Sequence, residues 1–232
     1  MNLKQQAANQ ALAYVQNGMV LGLGTGTTTT YFIKMLAEKL RSGELTDVVG
    51  VPTSQGTAQL ARMQDIPLVS LAKLSLESAV PVLDLVVDGA DEIDPNLNLV
   101  KGLGRALLRE KIVETHADTF LVIADDTKLV PRLGHGPLPV EIVRYEFGVQ
   151  VRWLNSLGCQ AELWLEPNGE PVVTDNENYL VRCWFADGIP DPYGLARVLA
   201  DRPGIVEHGL FLDMADLVII SGKDGIQIKE RK

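Results

Sequence analysis

The sequence predicts an α/β protein: a mainly parallel sheet covered by helices on both faces, with a small α+β domain inserted late in the chain. Three observations predict it. Short, mainly apolar runs such as Leu83–Val87 (LDLVV) and Phe120–Ala124 (FLVIA) read as strands buried on both faces. These runs alternate with segments of helical apolar spacing, the signature of a sheet wound with helices. After residue 137 the order changes to strand, helix, strand, strand, helix, strand, the split β-α-β-β-α-β unit.

The elements follow in order. Leu3, Ala7, Ala8, Ala11, Leu12 and Val15 have helical spacing, so 3–16 is a helix that Asn17-Gly18 ends. Met19–Leu23 is a buried strand, and Tyr31–Leu40 a helix after a Gly/Thr segment. Val48–Val51 is a strand, Thr57–Met63 a helix and Pro67–Val69 a short strand. Leu83–Val87 is a strand ending at Asp88, Arg105–His116 a helix and Phe120–Ala124 a strand. In the insert, Val140–Val143, Ala161–Leu165, Tyr179–Phe185 and Val206–Phe211 are strands. Phe147–Leu157 and Pro192–Leu199 are its helices. Leu217–Ile220 is apolar like the earlier buried strands and returns to the main sheet. The expected domains are therefore 1–136 with 208–232, and a ferredoxin-like insert at 137–207.

Composition narrows the function. The 232 residues are 46% hydrophobic and 22% charged, which excludes a disordered or collagen-like chain. A net charge of −9 argues against general nucleic-acid binding, which needs a basic surface. Cys159 and Cys183 form no CxxC, which excludes a disulfide framework or a cysteine-rich zinc site. His116, His135 and His208 show no metal-ligand spacing. No apolar run reaches membrane-spanning length, and no basic-then-apolar leader opens the chain. The expectation is a cytoplasmic enzyme with no membrane and no nucleic-acid partner.

Three segments can carry chemistry. The first is LGLGTGTTTT, residues 21–30, which follows a strand and opens a helix. Glycines allow close backbone approach, and helix N-termini bind anions. The dinucleotide pattern G-x-G-x-x-G fails because Thr27 stands at the third glycine, and no P-loop lysine follows. A small-molecule phosphate fits Thr25, Gly26, Thr27 and Thr28; a plain strand–helix turn with a threonine cap is the alternative.

The second is VVDGADEID, residues 86–94. Asp88, Asp91 and Glu92 follow a buried strand, where open α/β sheets place their ligands. Clustered carboxylates suit acid–base work. A solvated acidic turn, or oxygen ligands for Mg²⁺, are the other readings.

The third is KGLGRALLREKIVE, residues 101–114. Lys101 and two glycines precede a helix, another anion-binding start. Leu103, Ala106, Leu107, Glu110, Val113 and Ala117 fall on one helical stripe, with Glu110 near its centre. A carboxylate on an apolar stripe is costly unless paired or protonated, and burial there suits a general base. Glu114 competes for this role, and a Glu paired with a nearby cation is the bland reading. Lys128 follows FLVIA at the carboxyl edge of the sheet, while Lys4 reads as surface. Trp153, Trp164 and Trp184 belong to the insert, in its core or an interface.

Taken in order, these segments resemble the type A ribose-5-phosphate isomerase family. The matching residues are Gly22–Thr28 (GLGTGTT), Asp88–Glu92 (DGADE), Lys101–Ile112 (KGLGRALLREKI), Phe120–Lys128 (FLVIADDTK), Pro137–Glu141 (PLPVE) and Val172–Asn176 (VVTDN). The resemblance implies a Rossmann-like large domain with an inserted small one, and a homo-oligomer, dimer or tetramer. It implies a sugar-phosphate substrate, interconversion of ribose 5-phosphate and ribulose 5-phosphate, and no metal or organic cofactor. By resemblance Glu110 is the base between C2 and C1. Asp88 and Asp91 assist ring opening and hydroxyl proton movement, and Lys101 stabilises the enediolate. Thr25, Gly26, Thr27, Thr28, Gly89, Ala90, Gly102, Leu103, Gly104, Lys128 and Lys4 are the substrate-binding positions it implies.

One departure stands out. The family pattern is K-G-G-G-A, and this chain has KGLGR, with Leu103 and Arg105 in place of a glycine and a small residue. Leu103 could crowd the loop but still offer its N–H; Arg105 could add a phosphate contact. The alternative function, motivated by this departure, is a sugar-phosphate sensor without turnover. A nicotinamide-dependent enzyme is a distant third reading, opposed by the missing glycine.

Overall fold

The computed structural model describes residues 1–77 and 82–231. The chain divides into two compact units: Met1–Ala90 with Arg109–Lys128 and Met214–Lys232, and Asp91–Leu108 with Leu129–Asp213.

The first unit is built on β1 (Val20–Leu23), β2 (Val49–Pro52), β3 (Leu85–Asp88), β6 (Phe120–Asp125), β12 (Leu217–Gly222) and β13 (Gly225–Glu230). Their order is β13-β12-β6-β3-β1-β2. All neighbours run parallel except β12 and β13, which form a hairpin at the edge. The chain leaves β1 towards β2 on one side and β3 pairs with β1 on the other. The β1/β3 boundary is therefore a topological switch point, where open sheets leave a crevice at the strands' carboxyl ends.

Alternate strand residues face opposite layers. Leu21, Leu23, Leu85, Val87, Leu121, Ile123 and Ile219 form one core with α1 (Leu3–Ala11) and α2 (Thr27–Ser42). Phe32, Ile33 and Leu36 of α2 are almost fully buried there. Helix α1 starts with a capping box in which Asn2 and Gln5 satisfy each other's backbone N–H. It ends at Ala11, and Leu12–Tyr14 continue as a 3-10 turn. Helix α3 (Gln55–Met63) follows β2, capped by Ser54, and α4 (Leu71–Glu77) comes next.

The second unit holds β4 (Glu92–Ile93), β5 (Leu99–Val100), β7 (Leu138–Ile142), β8 (Gln160–Leu163), β9 (Tyr179–Trp184), β10 (Ile205–His208) and β11 (Leu210–Phe211). The antiparallel sheet β10-β7-β9-β8 packs on α6 (Phe147–Asn155) and α7 (Pro192–Ala200), the ferredoxin-like arrangement the strand–helix order predicts. A second sheet, β11-β5-β4, also lies in this unit. It draws in Asp91–Leu108, so the unit extends beyond 137–207 on both sides.

Several boundaries differ from the sequence expectation. Helix α5 (Leu107–Glu114) starts two residues later than expected, because Arg105 has φ of 66° and cannot begin a right-handed helix. Leu103 and Ala106 therefore precede the helix that was to carry them. Helix α2 instead starts at Thr27, four residues earlier than expected. The expected strand Val206–Phe211 breaks into β10 and β11, which pair with β7 and β5 in different sheets. Pro67–Val69 is no strand; Leu68 makes a single bridge to Gly50. The pattern gave no sign of α4, β4, β5 or β13.

Candidate active site

In the first unit, the crevice is built from backbone outwards. Strand β1 ends at Leu23, and the Gly24 N–H donates to the Val87 carbonyl at 3.0 Å, extending the β1–β3 ladder. The next N–H, of Thr25, donates to Asp88 Oδ1 at 3.0 Å, and the Gly89 N–H donates to the same oxygen at 2.6 Å. Asp88 is fully buried. Gly24 is glycine for a steric reason: a Cβ there would lie 2.2 Å from the Asp88 carboxyl carbon.

The four consecutive threonines divide their work. Thr29 and Thr30 turn their hydroxyls back to the Gly26 carbonyl, at 3.0 and 2.9 Å. Thr27 is exposed and Thr28 half-buried in the first turn of the 16-residue α2. Lys4 Nζ donates to Thr27 Oγ1 at 2.8 Å, so α1 delivers a cation to the N-terminus of α2. This N-terminus has free N–H groups, a positive dipole end, hydroxyls and an ammonium, all suited to an anion.

The Thr25 hydroxyl points into a cluster that pattern reasoning missed. It lies 2.8 Å from Thr53 Oγ1, 2.8 Å from Ser54 Oγ and 3.1 Å from Thr57 Oγ1. Thr57 donates onward to the Gly24 carbonyl at 2.9 Å and Thr53 to Leu23 at 3.1 Å. The available signal was the hydroxyl-rich segment after β2, at the same sheet edge. Glu110 and Glu114 of α5 are both buried, 3% and 4% exposed. Lys128 is half-buried in the 3-10 turn Asp126–Lys128 that follows β6.

In the second unit, Asp91 and the glycine loop meet. Asp91 Oδ2 accepts the Leu103 N–H at 2.9 Å. Lys101 is 2% exposed, with Nζ 5.4 Å from the centroid of the Phe211 ring. Gly102 has φ of 110°, a conformation side chains rarely adopt, and a Cβ there would lie 2.8 Å from Leu107. The Leu103 side chain is 38% exposed. Gly104 is exposed and Arg105 half-buried. The Arg105 guanidinium lies on Glu166 instead of standing open for phosphate, with contacts of 2.5 and 3.1 Å. Glu92, the third acid of DGADE, accepts the Gly134 and Gly136 N–H groups at 2.7 and 2.5 Å, and so clamps a loop.

Of the tryptophans, Trp153 and Trp164 each carry a guanidinium over the ring: Arg202 at 4.8 Å over Trp153, and Arg105 at 5.2 Å over Trp164. Trp184 is 40% exposed.

A family model for ribose 5-phosphate isomerase A (phosphoriboisomerase A) matches residues 49–225. The chain is 49% identical over 224 residues to ribose-5-phosphate isomerase A of Roseiflexus castenholzii, covering 96% of this chain and 93% of that protein. It is 44% identical over 231 residues to the Pyrococcus horikoshii protein of that name, covering 99% and 98%. Among solved structures it is similar to a D-ribose-5-phosphate isomerase in complex with phospho-erythronic acid, with TM-score 0.92, 43% identity and full coverage of both chains. It also matches ribose 5-phosphate isomerase from Plasmodium falciparum, with TM-score 0.93 and 37% identity over 99% of this chain and 98% of that one. The chain belongs to the ribose 5-phosphate isomerase A family and is an isomerase.

Proposed function

We propose that the substrate pair is D-ribose 5-phosphate and D-ribulose 5-phosphate, interconverted by proton transfer through an enediolate. The observation that carries this reading is the β1–β3 crevice, where Thr25 is hydrogen-bonded to buried Asp88 beside the Lys4–Thr27 pair. The similar solved structure in complex with phospho-erythronic acid supports a sugar-phosphate ligand.

In this reading the phosphate takes the N-terminus of α2, with Thr25, Gly26, Thr27, Thr28 and Lys4. Asp88 and Asp91 assist ring opening and move hydroxyl protons. Glu110 removes the C2 proton of the open aldehyde. The C–H electron pair becomes the C1=C2 bond, and the C1 carbonyl oxygen gains the charge. Lys101 stabilises that charge. Return of the proton to C1, with the O2 proton transferred to O1, gives the C1 hydroxyl and C2 carbonyl of the ketose. Gly89, Ala90, Gly102, Leu103, Gly104 and Lys128 bind substrate. Every step moves protons only. The reading includes the non-oxidative pentose phosphate pathway and a cytoplasmic homo-oligomer, dimer or tetramer, expectations that rest on the family resemblance and composition. Among the described residues, no helix is long and apolar enough to cross a membrane.

The test is ribulose 5-phosphate formation from ribose 5-phosphate by purified protein, with and without EDTA. EDTA-resistant turnover supports the reading. No turnover, with ribose 5-phosphate still raising Tm, favours a sensor on this fold.

A further inference from the structure

The Lys101–Arg105 turn carries an arginine with a built environment. Arg105 has φ of 66°, and its N–H donates to the Gly102 carbonyl at 2.9 Å, closing the turn. A non-glycine residue holds this conformation only where its surroundings enforce it. Here both ends of the guanidinium fork are engaged: one nitrogen is 2.5 Å from Glu166 Oε1 and the other 3.1 Å from Oε2. Its carbon lies 5.2 Å from the Trp164 ring centroid, and Arg182, paired with Glu162 at 2.7 Å, lies 5.3 Å from the same ring. Trp164 and Glu166 sit on a tight hairpin closed by Val172 N–H to Trp164 and by Glu166 N–H to Glu170, both at 2.8 Å. An isolated exposed ion pair contributes little, but a bidentate fork seated on an aromatic face is directional.

We propose that Arg105 is a positioning residue for the isomerisation, acting through Leu103. Glu166 and Trp164 grip its guanidinium, the grip fixes the Gly102–Arg105 turn, and the turn keeps the Leu103 N–H on Asp91 Oδ2. The hairpin 164–172 is thereby the buttress of the glycine loop. The proposal rests on the isomerase reading and on Asp91 acting in it.

The test is a double-mutant cycle of Arg105→Ala and Glu166→Ala, assayed well below the Tm of each variant. Glu166→Ala leaves the turn's own sequence intact, so it reports even if Arg105→Ala folds poorly. Each single change is expected to lower kcat on the order of tenfold, as misplacement of a reacting group does. KM should move less than about threefold, since the phosphate grip lies elsewhere. The double variant should be no worse than the poorer single one, because both remove one device. A kcat within about twofold of the unsubstituted chain in both single variants overturns the proposal, as do losses that multiply. A loss confined to Tm also overturns it, since that marks a merely structural pair. Absence of turnover in the unsubstituted chain is a separate outcome, and it overturns the isomerase reading first.

Discussion

The Thr25 backbone N–H donates to the Asp88 carboxylate at 3.0 Å, across the switch point of the sheet. The glycine before Thr25 makes that approach possible, since any Cβ at Gly24 would collide with the carboxyl group. Gly24→Ala should therefore force the loop off Asp88 and destabilise the fold by about 1–3 kcal/mol, the usual cost of overpacking. Urea unfolding checks this; an unchanged midpoint would show that the strand ends yield freely.

Lys4 and Thr27 should behave as binding groups. A phosphate keeps its charge through the isomerisation, so contacts to it serve ground and transition state alike. Lys4→Ala is expected to raise KM roughly tenfold or more, the weight of one charge-assisted hydrogen bond, with kcat little changed. Steady-state kinetics at two salt concentrations checks it, because added salt should weaken the native chain's grip more than the variant's.

Glu92 should separate from its neighbours in DGADE. Its carboxylate is spent on the Gly134 and Gly136 N–H groups. Glu92→Ala leaves two N–H donors without this acceptor and should cost about 1–3 kcal/mol of stability. Asp88→Asn keeps an oxygen for the Thr25 and Gly89 donors, so it should fold normally while turnover drops by about 10²–10⁴. Thermal melts beside activity assays check the contrast, and equal losses in both properties for both variants would contradict it.

The two cysteines should differ in reactivity. The Cys183 thiol hydrogen-bonds to Cys159 and holds the Cys159 pKa below the ordinary thiol value, outweighing partial burial. The same pairing, with burial, raises that of Cys183 well above it. A lowered pKa means more thiolate at a given pH, and thiolate is the nucleophile. Iodoacetamide should label Cys159 first, with a pH midpoint below that of an ordinary free thiol. Cys183 should label only on unfolding. Peptide mass spectrometry checks the order, and equal labelling rates would contradict it.

Legibility in the sequence followed the range of the forces involved. The buried strands were plain, because FLVIA is apolar throughout and LDLVV is so except at exposed Asp84, whatever they pair with. The split order of the insert was plain for the same reason. Long-range devices were not. Nothing local shows that Glu92 serves loop 134–136, or that Arg105 meets Glu166 across 61 positions. The start of α5 moved because one positive φ at Arg105 outweighed helical spacing. Strand β13 was unread because its residues are mostly exposed and lack an apolar run. Of the candidate site, the glycine–threonine loop, the acids and the lysines could be named from their types. The hydroxyl cluster of Thr53, Ser54 and Thr57 needed the sheet order, which sets β2 beside β1.

Glu110 is the centre of the account, since one buried carboxylate is asked to move a carbon-bound proton. The direct measurement is ribulose 5-phosphate formation by Glu110→Gln beside the unsubstituted protein, with ribose 5-phosphate binding followed by its effect on Tm. The glutamine keeps the shape and loses the base. The account predicts a fall in kcat of at least about 10²–10⁴ with substrate stabilisation retained. Turnover at a near-normal rate in Glu110→Gln would contradict it.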